Sequence, residues 1–245
     1  MTAQSQSAFR ADLFAGQTVL VTGGTSGIGA ATASLFHSLG ADVVAAGLAA
    51  DDAPFEPAER LRLLELDVTD EAASAAAIAA LPRLDHLVLC AGVSLNAREL
   101  ELDSFRRVIE INLVAGMGMA MAAAGKLRTS KGSVVMIGSM YGTFGSAERP
   151  AYAASKGAIA QLAKSLAQLF APDGVRVNAV APGWIETPLA RNLDAETKAR
   201  ILQRVPLGRW GESDEVAATI AFLCSPAAAY VTGAILAVDG GYLTA

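Results

Sequence analysis

Three side chains in the stretch Gly138 to Lys156 (GSMYGTFGSAERPAYAASK) can together do acid–base chemistry on an oxygen: the Ser139 hydroxyl, the Tyr152 phenol and the Lys156 ammonium. Ser139 follows the apolar run Ser133 to Ile137, which predicts a buried strand with the serine at its carboxyl end, where open α/β sheets bind ligands. Tyr152 and Lys156 lie four residues apart in the segment Tyr152 to Ala171. Its apolar residues Ile159, Leu162, Leu166 and Leu169 recur at helical spacing, so the pair should share one face. Lowering a phenol from a pKa near 10 by about three units takes ~4 kcal/mol. One unit charge about 4 Å away supplies roughly that at an effective dielectric of about 20. Such a phenol exchanges a proton with an alcohol or carbonyl while the serine holds the reacting oxygen, which suits hydride transfer beside a hydride carrier. A tyrosine that opens a helix is ordinarily a core residue, so the reading depends on the rest of the chain.

The elements that must position these groups alternate along the sequence. Strand-like runs at Thr18 to Val21, Asp42 to Ala46, Leu61 to Leu66, Leu84 to Cys90, Ser133 to Ile137, Val175 to Val180 and Ala234 to Val238 are separated by helix-like segments. That pattern predicts a single-domain, doubly wound, seven-stranded parallel sheet of the Rossmann-like α/β class with helices on both faces. Residues 1–15 read as an amino-terminal arm packing Phe9, Leu13 and Phe14 on the body, and 16–245 as one dinucleotide-binding and catalytic domain. A charged helical lid is expected over about 188–210, after the proline-bounded APGWIETP (Ala181 to Pro188).

The first strand runs into TGGTSGIG, Thr22 to Gly29, and then a helix-like segment. Glycines 23, 27 and 29 provide a tight turn, close backbone approach to a diphosphate and a helix amino terminus aimed at negative charge. Asp67 closes the third strand and Cys90–Ala91–Gly92 the fourth. Asn112, inside the apolar helix-like segment Asp103 to Leu127, is either a local kink or a member of the site.

Composition narrows the partners. The 245 residues carry 19 Lys and Arg against 24 Asp and Glu, a net charge of -5, with no block of like charge, which gives no footprint for nucleic acid or anionic membrane. No uninterrupted apolar run reaches the ~20 residues of a membrane span, and the first residues do not read as a secretory signal. A soluble, cytoplasmic protein is expected, with Cys90 and Cys224 as reduced core thiols. His37 and His86 lack partners at metal-ligand spacing, so they read as structural and no catalytic metal is expected.

The ordered set of motifs resembles the short-chain dehydrogenase/reductase family in its compact form, from about residue 16 to the end. The resemblance implies that Asn112, Ser139, Tyr152 and Lys156 form its catalytic tetrad. Tyr152 would be the general acid/base, Ser139 the holder of the substrate oxygen, and Lys156 the group that lowers the phenol's pKa and bonds the nicotinamide ribose. Asn112 would position a relay water. It implies that Gly23, Thr25, Ser26, Gly27, Ile28 and Gly29 hold the cofactor's phosphates. Leu48, Asp67 and Val68 would lie on its adenosine side, Cys90, Ala91 and Gly92 beneath it, and Pro182, Gly183, Ile185 and Thr187 at its nicotinamide end. VDGG, Val238 to Gly241, matches the family's carboxyl-terminal signature.

Two departures stand out. Cys90 replaces a frequent asparagine, and the end of the second strand carries Gly47 and Leu48 where an acid would mark NAD or an arginine NADP. Without a cation for the extra phosphate, NAD is favoured over NADP. Met140, Tyr141, Phe144 and Trp184 are expected to line a pocket for a small-molecule secondary alcohol or ketone. Glu148 and Arg149, just before the catalytic helix, read as a solvated pair at its rim, with contact to a polar substrate as the alternative. An NADPH-dependent reductase of carrier-linked 3-oxoacyl esters, docking through Arg191, Arg200, Arg204 and Arg209, is the alternative; a non-catalytic dinucleotide-binding protein is a remote one. Small residues on the helices Asp103 to Leu127 and Tyr152 to Ala171 predict association, and the resemblance implies pairing through these two helices into a homotetramer, with a dimer second.

Overall fold

Residues 8–190 and 193–245 are described by the computed structural model. Seven short runs rich in Val, Leu, Ile and Ala form strands β1 (Thr18–Thr22), β2 (Asp42–Gly47), β3 (Leu61–Glu65), β4 (His86–Leu89), β5 (Ser133–Ile137), β6 (Arg176–Pro182) and β7 (Ile235–Val238). All pair in parallel, in the order β3-β2-β1-β4-β5-β6-β7. Every residue of β1, β4 and β5 is buried, which is why these strands are continuously apolar rather than alternating. The order reverses between β1 and β4. Their following loops therefore diverge and open a crevice at the carboxyl edge.

Helices cover both faces. On one, α1 (Gly27–Ser38) packs beside α7 (Ser213–Cys224) over Val19, Val43, Val135 and Val180. On the other, α2 (Glu71–Ala79), α4 (Ala115–Ser130) and α5 (Pro150–Phe170) pack over Leu20, Leu87, Val134 and Met136. Helix α3 (Leu102–Ile109) enters α4 through a π-helical turn, Glu110–Val114. Above the carboxyl edge, α6 (Ala195–Leu202) and the 3-10 turn Pro188–Ala190 lie in the expected lid region, and Ile201 and Val205 cluster there with Met140, Trp210 and Tyr242. Arg191 lies outside the described residues.

The strand read as Leu84 to Cys90 is shorter, because Asp85 turns its carboxylate back to accept from the Thr18 amide at 2.8 Å and from Arg83. From the amino arm, Phe14 is fully buried with its ring centroid 4.6 Å from Phe36 and 5.4 Å from His86, while Phe9 and Leu13 pack partly on the same cluster. His86 is buried, with Nδ1 2.8 Å from Ser133 Oγ and Nε2 2.7 Å from Gln17 Oε1, and burial pushes its pKa down to about 4. The helical run Leu102–Ser130 has the length and mean hydropathy (1.5) of a membrane span, yet α4 turns Met119, Ala120, Ala123 and Leu127 into the core. A core helix meets the same criteria.

Candidate active site

The loop after β1 makes the crevice floor. Gly23 adopts φ 61°, and a Cβ there would lie 2.8 Å from the Ala91 amide nitrogen, so glycine is what lets the loops after β1 and β4 touch. A Cβ on Gly29 would collide with the Gly23 carbonyl. Ser26 starts α1 in an extended conformation without a side-chain cap, and the first turn holds no acid. The helix thus presents uncapped amides and the positive end of its dipole to the crevice, which is the donor set a diphosphate needs. The residues fit a dinucleotide.

Most of the predicted cofactor residues meet in one cleft: Gly23, Ser26, Gly27, Ile28 and Gly29 after β1, Cys90, Ala91 and Gly92 after β4, and Pro182, Gly183, Ile185 and Thr187 after β6. Four lie outside it. Thr25 donates to the Leu48 carbonyl at 3.1 Å, and Leu48 itself is 60% exposed. Asp67 accepts from the Thr69 amide and hydroxyl at 2.9 and 2.7 Å, bonds that hold its carboxyl below the usual range, and Val68 is buried beside it. Cys90 corrects the expectation of a core thiol: it is part-exposed at the cleft wall, and desolvation pushes its pKa up to about 12, so it stays neutral.

The chemical groups converge on the same cleft. Ser139 ends β5 and caps a 3-10 turn, Met140–Gly142, accepting from the Tyr141 amide at 3.2 Å. Tyr152 sits in the first turn of α5 and lines the same cleft as Ser139, whose hydroxyl is near enough to favour the ionised phenol. One turn on, Lys156 is buried, and its Nζ donates to the Ile137 carbonyl at 2.7 Å. Asn112 ties the loop after β4 to α5. It lies in the π turn, and its amide group accepts from Val93 N at 2.8 Å while donating to Val93 O and Ser155 Oγ, each at 3.0 Å. A Cβ on Gly92 would lie 3.3 Å from Asn112 Oδ1 and 3.5 Å from Lys156 Nζ, so this glycine leaves room for both.

Electrostatics correct one expectation. Lys156 was expected to depress the Tyr152 phenol, but burial dominates and raises it, with the nearby Ser139 hydroxyl and the Arg149 charge offsetting in part. The reason is geometric: Nζ is engaged by Ile137 and stands 5.5 Å from the centroid of the Tyr152 ring. Lys156 is itself pushed down to about 8 by burial.

The pocket wall differs in two places. Met140, Tyr141 and Trp184 line the cleft. Phe144 does not; it packs behind Tyr141 (centroids 5.2 Å apart) and against Tyr242 (5.9 Å), because the chain turns away after the 3-10 turn. Arg149, read as half of a solvated rim pair, lines the cleft instead, over the Tyr141 ring at 5.9 Å.

Two carboxylates escaped the sequence reading. Glu99, 1% exposed, accepts from Ser94 Oγ at 2.9 Å and Leu95 N at 2.8 Å, and through its other oxygen from Tyr152 N at 2.8 Å. A local capping box would have been visible, whereas this cap comes from 53 residues away. Glu65, at the end of β3, accepts from Ala49 N (3.2 Å) and Ala50 N (2.8 Å), just past β2.

A family model described as enoyl-(acyl carrier protein) reductase matches residues 23–243. The chain belongs to the short-chain dehydrogenase/reductase family. It is 43% identical to the cis-4-hydroxycyclohexanecarboxylate dehydrogenase of Sinomonas cyclohexanicum, over 94% of this chain and 98% of that one. It is 41% identical to the galactitol 2-dehydrogenase (L-tagatose-forming) of Cereibacter sphaeroides, over 96% of each. A solved structure from Beutenbergia cavernae, described as a candidate NAD(P) dependent gluconate 5-dehydrogenase with NADP bound at low occupancy, superposes with a TM-score of 0.88. The two are 36% identical over 96% of this chain and 100% of that one. This short-chain dehydrogenase/reductase is a nicotinamide-dependent oxidoreductase acting on alcohols and ketones.

Proposed function

We propose that this enzyme interconverts a small secondary alcohol and its ketone through Tyr152. The carrying observation is that Ser139, Tyr152 and Lys156 line the one cleft that the glycine turn opens. Bound there, the nicotinamide dinucleotide supplies or accepts the hydride. The turn Gly23 to Gly29 holds its phosphates, and the segment Pro182 to Thr187 flanks its nicotinamide end. Ser139 holds the substrate oxygen by hydrogen bond while the Tyr152 phenol takes the alcohol proton, or returns it to the ketone. Because burial raises the phenol, the site needs Lys156 protonated, a state its value near 8 allows at neutral pH. Asn112 fixes the loop after β4 against Ser155 of α5, on which the catalytic pair rides, and adjoins Lys156 for the relay. Tyr152→Phe is expected to lower kcat by more than about a thousandfold with NADH binding kept; turnover within tenfold of the parent would overturn the assignment.

NAD is the cofactor we favour. Beyond the missing cation at Gly47 and Leu48, the amides of Ala49 and Ala50 that would cradle a 2′-phosphate already hold the Glu65 carboxylate, and Asp51 and Asp52 follow in the exposed turn Ala50–Asp52. Fluorescence titration should find NADH binding tighter than NADPH; equal or reversed affinities would refute this. A homotetramer is supported by two apolar surfaces, the stripe of Val114 from the π turn with Gly118, Met121, Ala122 and Gly125 of α4, and the edge strand β7 with Leu236 exposed and Tyr230 exposed ahead of it. A cytoplasmic location is part of the same reading.

A further inference from the structure

We propose that Arg149 is the carboxylate-recognising residue of the substrate pocket, so that the alcohol this enzyme oxidises is one borne on an organic acid. The proposal rests on the secondary-alcohol reading above and names its substrate class. Arg149 is the last residue before α5 and stands three positions ahead of Tyr152. Both residues line the same cleft. Both flank one ring: Tyr141 has the Arg149 guanidinium 5.9 Å from its centroid and the Tyr152 ring edge-on at 6.1 Å. Trp184 closes the other side of Tyr141, also edge-on at 6.1 Å. The cleft is thus an aromatic slot with hydroxyls at its floor and a cation on its wall.

That cation has no acid partner among the described residues. The ion pairs there engage Arg10, Arg83, Arg106, Arg107, Arg128 and Arg209, not Arg149. A guanidinium carries five donors, and a cleft-lining one held only over a ring is set to take a bidentate carboxylate. Its surroundings reinforce the sign of charge. Arg149 also lines an adjoining cavity with Arg200 and Arg204, and the two cavities share Tyr141, Trp184 and Leu193 as well. Glu148 is the acid of that second cavity and is exposed. An acid group on Arg149 with the carbinol against Ser139 and Tyr152 calls for a substrate that separates the two by a ring or a chain of similar length. The apolar spacer then lies on Met140, Tyr141 and Trp184.

The test compares 4-hydroxycyclohexanecarboxylate with its carboxamide, which keeps shape and removes charge, in the NAD-loaded parent, Arg149→Gln and Arg149→Lys. The parent is expected to favour the acid in kcat/KM. Arg149→Gln should reduce the acid-to-amide ratio by about 10- to 100-fold, mainly through KM, and Arg149→Lys should restore part of it. Calorimetric binding of cyclohexanecarboxylate to the NADH complex supplies a readout independent of turnover, present in the parent and lost in Arg149→Gln. An acid-to-amide ratio that is the same in parent and Arg149→Gln overturns the proposal, as does binding of cyclohexanecarboxylate to both proteins alike. So does a parent that prefers a carrier-linked 3-oxo ester to every free acid. Failure to turn over any free alcohol, with cyclohexanecarboxylate still bound through Arg149, would instead sink the reaction reading and keep the anion site.

Discussion

Glu99 offers the sharpest test of how the site is held. Its carboxylate accepts three hydrogen bonds at 2.8–2.9 Å in a buried setting, one of them from the Tyr152 amide in the first turn of α5. Glu99→Ala leaves the Leu95 and Tyr152 amides without acceptors, at ~1–3 kcal/mol each. It also removes a negative charge from the amino end of a 21-residue helix, a further ~0.5–1 kcal/mol. The sum is about 2.5–7 kcal/mol, which at this chain length lowers Tm by roughly 5–28 °C. Glu99→Gln keeps one oxygen and the volume, so about 1–2 kcal/mol is expected. Urea and thermal unfolding measure both variants, and steady-state kinetics of Glu99→Gln below its transition should show kcat falling about 10-fold as the phenol loses its seat. An Ala variant within about 1 kcal/mol of the parent would refute the reasoning, because buried amides would then have found other acceptors.

Replacing Glu65 with serine frees the Ala49 and Ala50 amides and removes one like charge, so the NADPH-to-NADH affinity ratio should rise by roughly 10- to 100-fold in fluorescence titration; a ratio unchanged within twofold would place the 2′-phosphate elsewhere. His86 is neutral in the fold down to about pH 4, whereas an unfolded histidine charges near 6.5. The unfolded chain therefore takes up the proton first as pH falls through that window, and stability should decline by up to about 3 kcal/mol between pH 6.5 and 4. His86→Asn should flatten that limb in urea titrations at stepped pH, and an unaltered slope would assign it to other groups.

How much was legible beforehand follows physical lines. The strands were readable because burial on both faces leaves only apolar runs, and β5 matches residue for residue. The glycine turn was readable because backbone contact admits no side chain, as at Gly23 against Ala91. What escaped were interactions whose partners are remote in sequence: Glu99 with Tyr152, Glu65 with the amides after β2, and Arg149 with the face of Tyr141. The electrostatics of Tyr152 and Lys156 escaped for another reason. Spacing of four residues puts two groups on one face but does not say that a third, the Ile137 carbonyl, will claim the ammonium. Phe144 was misplaced because an aromatic residue beside a cleft and one behind it look alike in a sequence.

The π turn at Glu110–Val114 has a consequence for how this enzyme tolerates change in length. Such a turn holds one residue more than regular winding, and it stands between α3 and the sheet-facing α4. Loss of that extra residue would let the turn close to regular winding while α3 and α4 keep the faces they present. Asn112, inside that turn, would then swing off Val93 and Ser155, whereas one residue gained or lost in α4 itself would turn Met119, Ala123 and Leu127 from the core by about 100°. Insertions and deletions should therefore be purged from this helix yet accepted between β2 and β3, and a deletion scan would appear as one silent stretch and one lethal stretch about sixty residues apart.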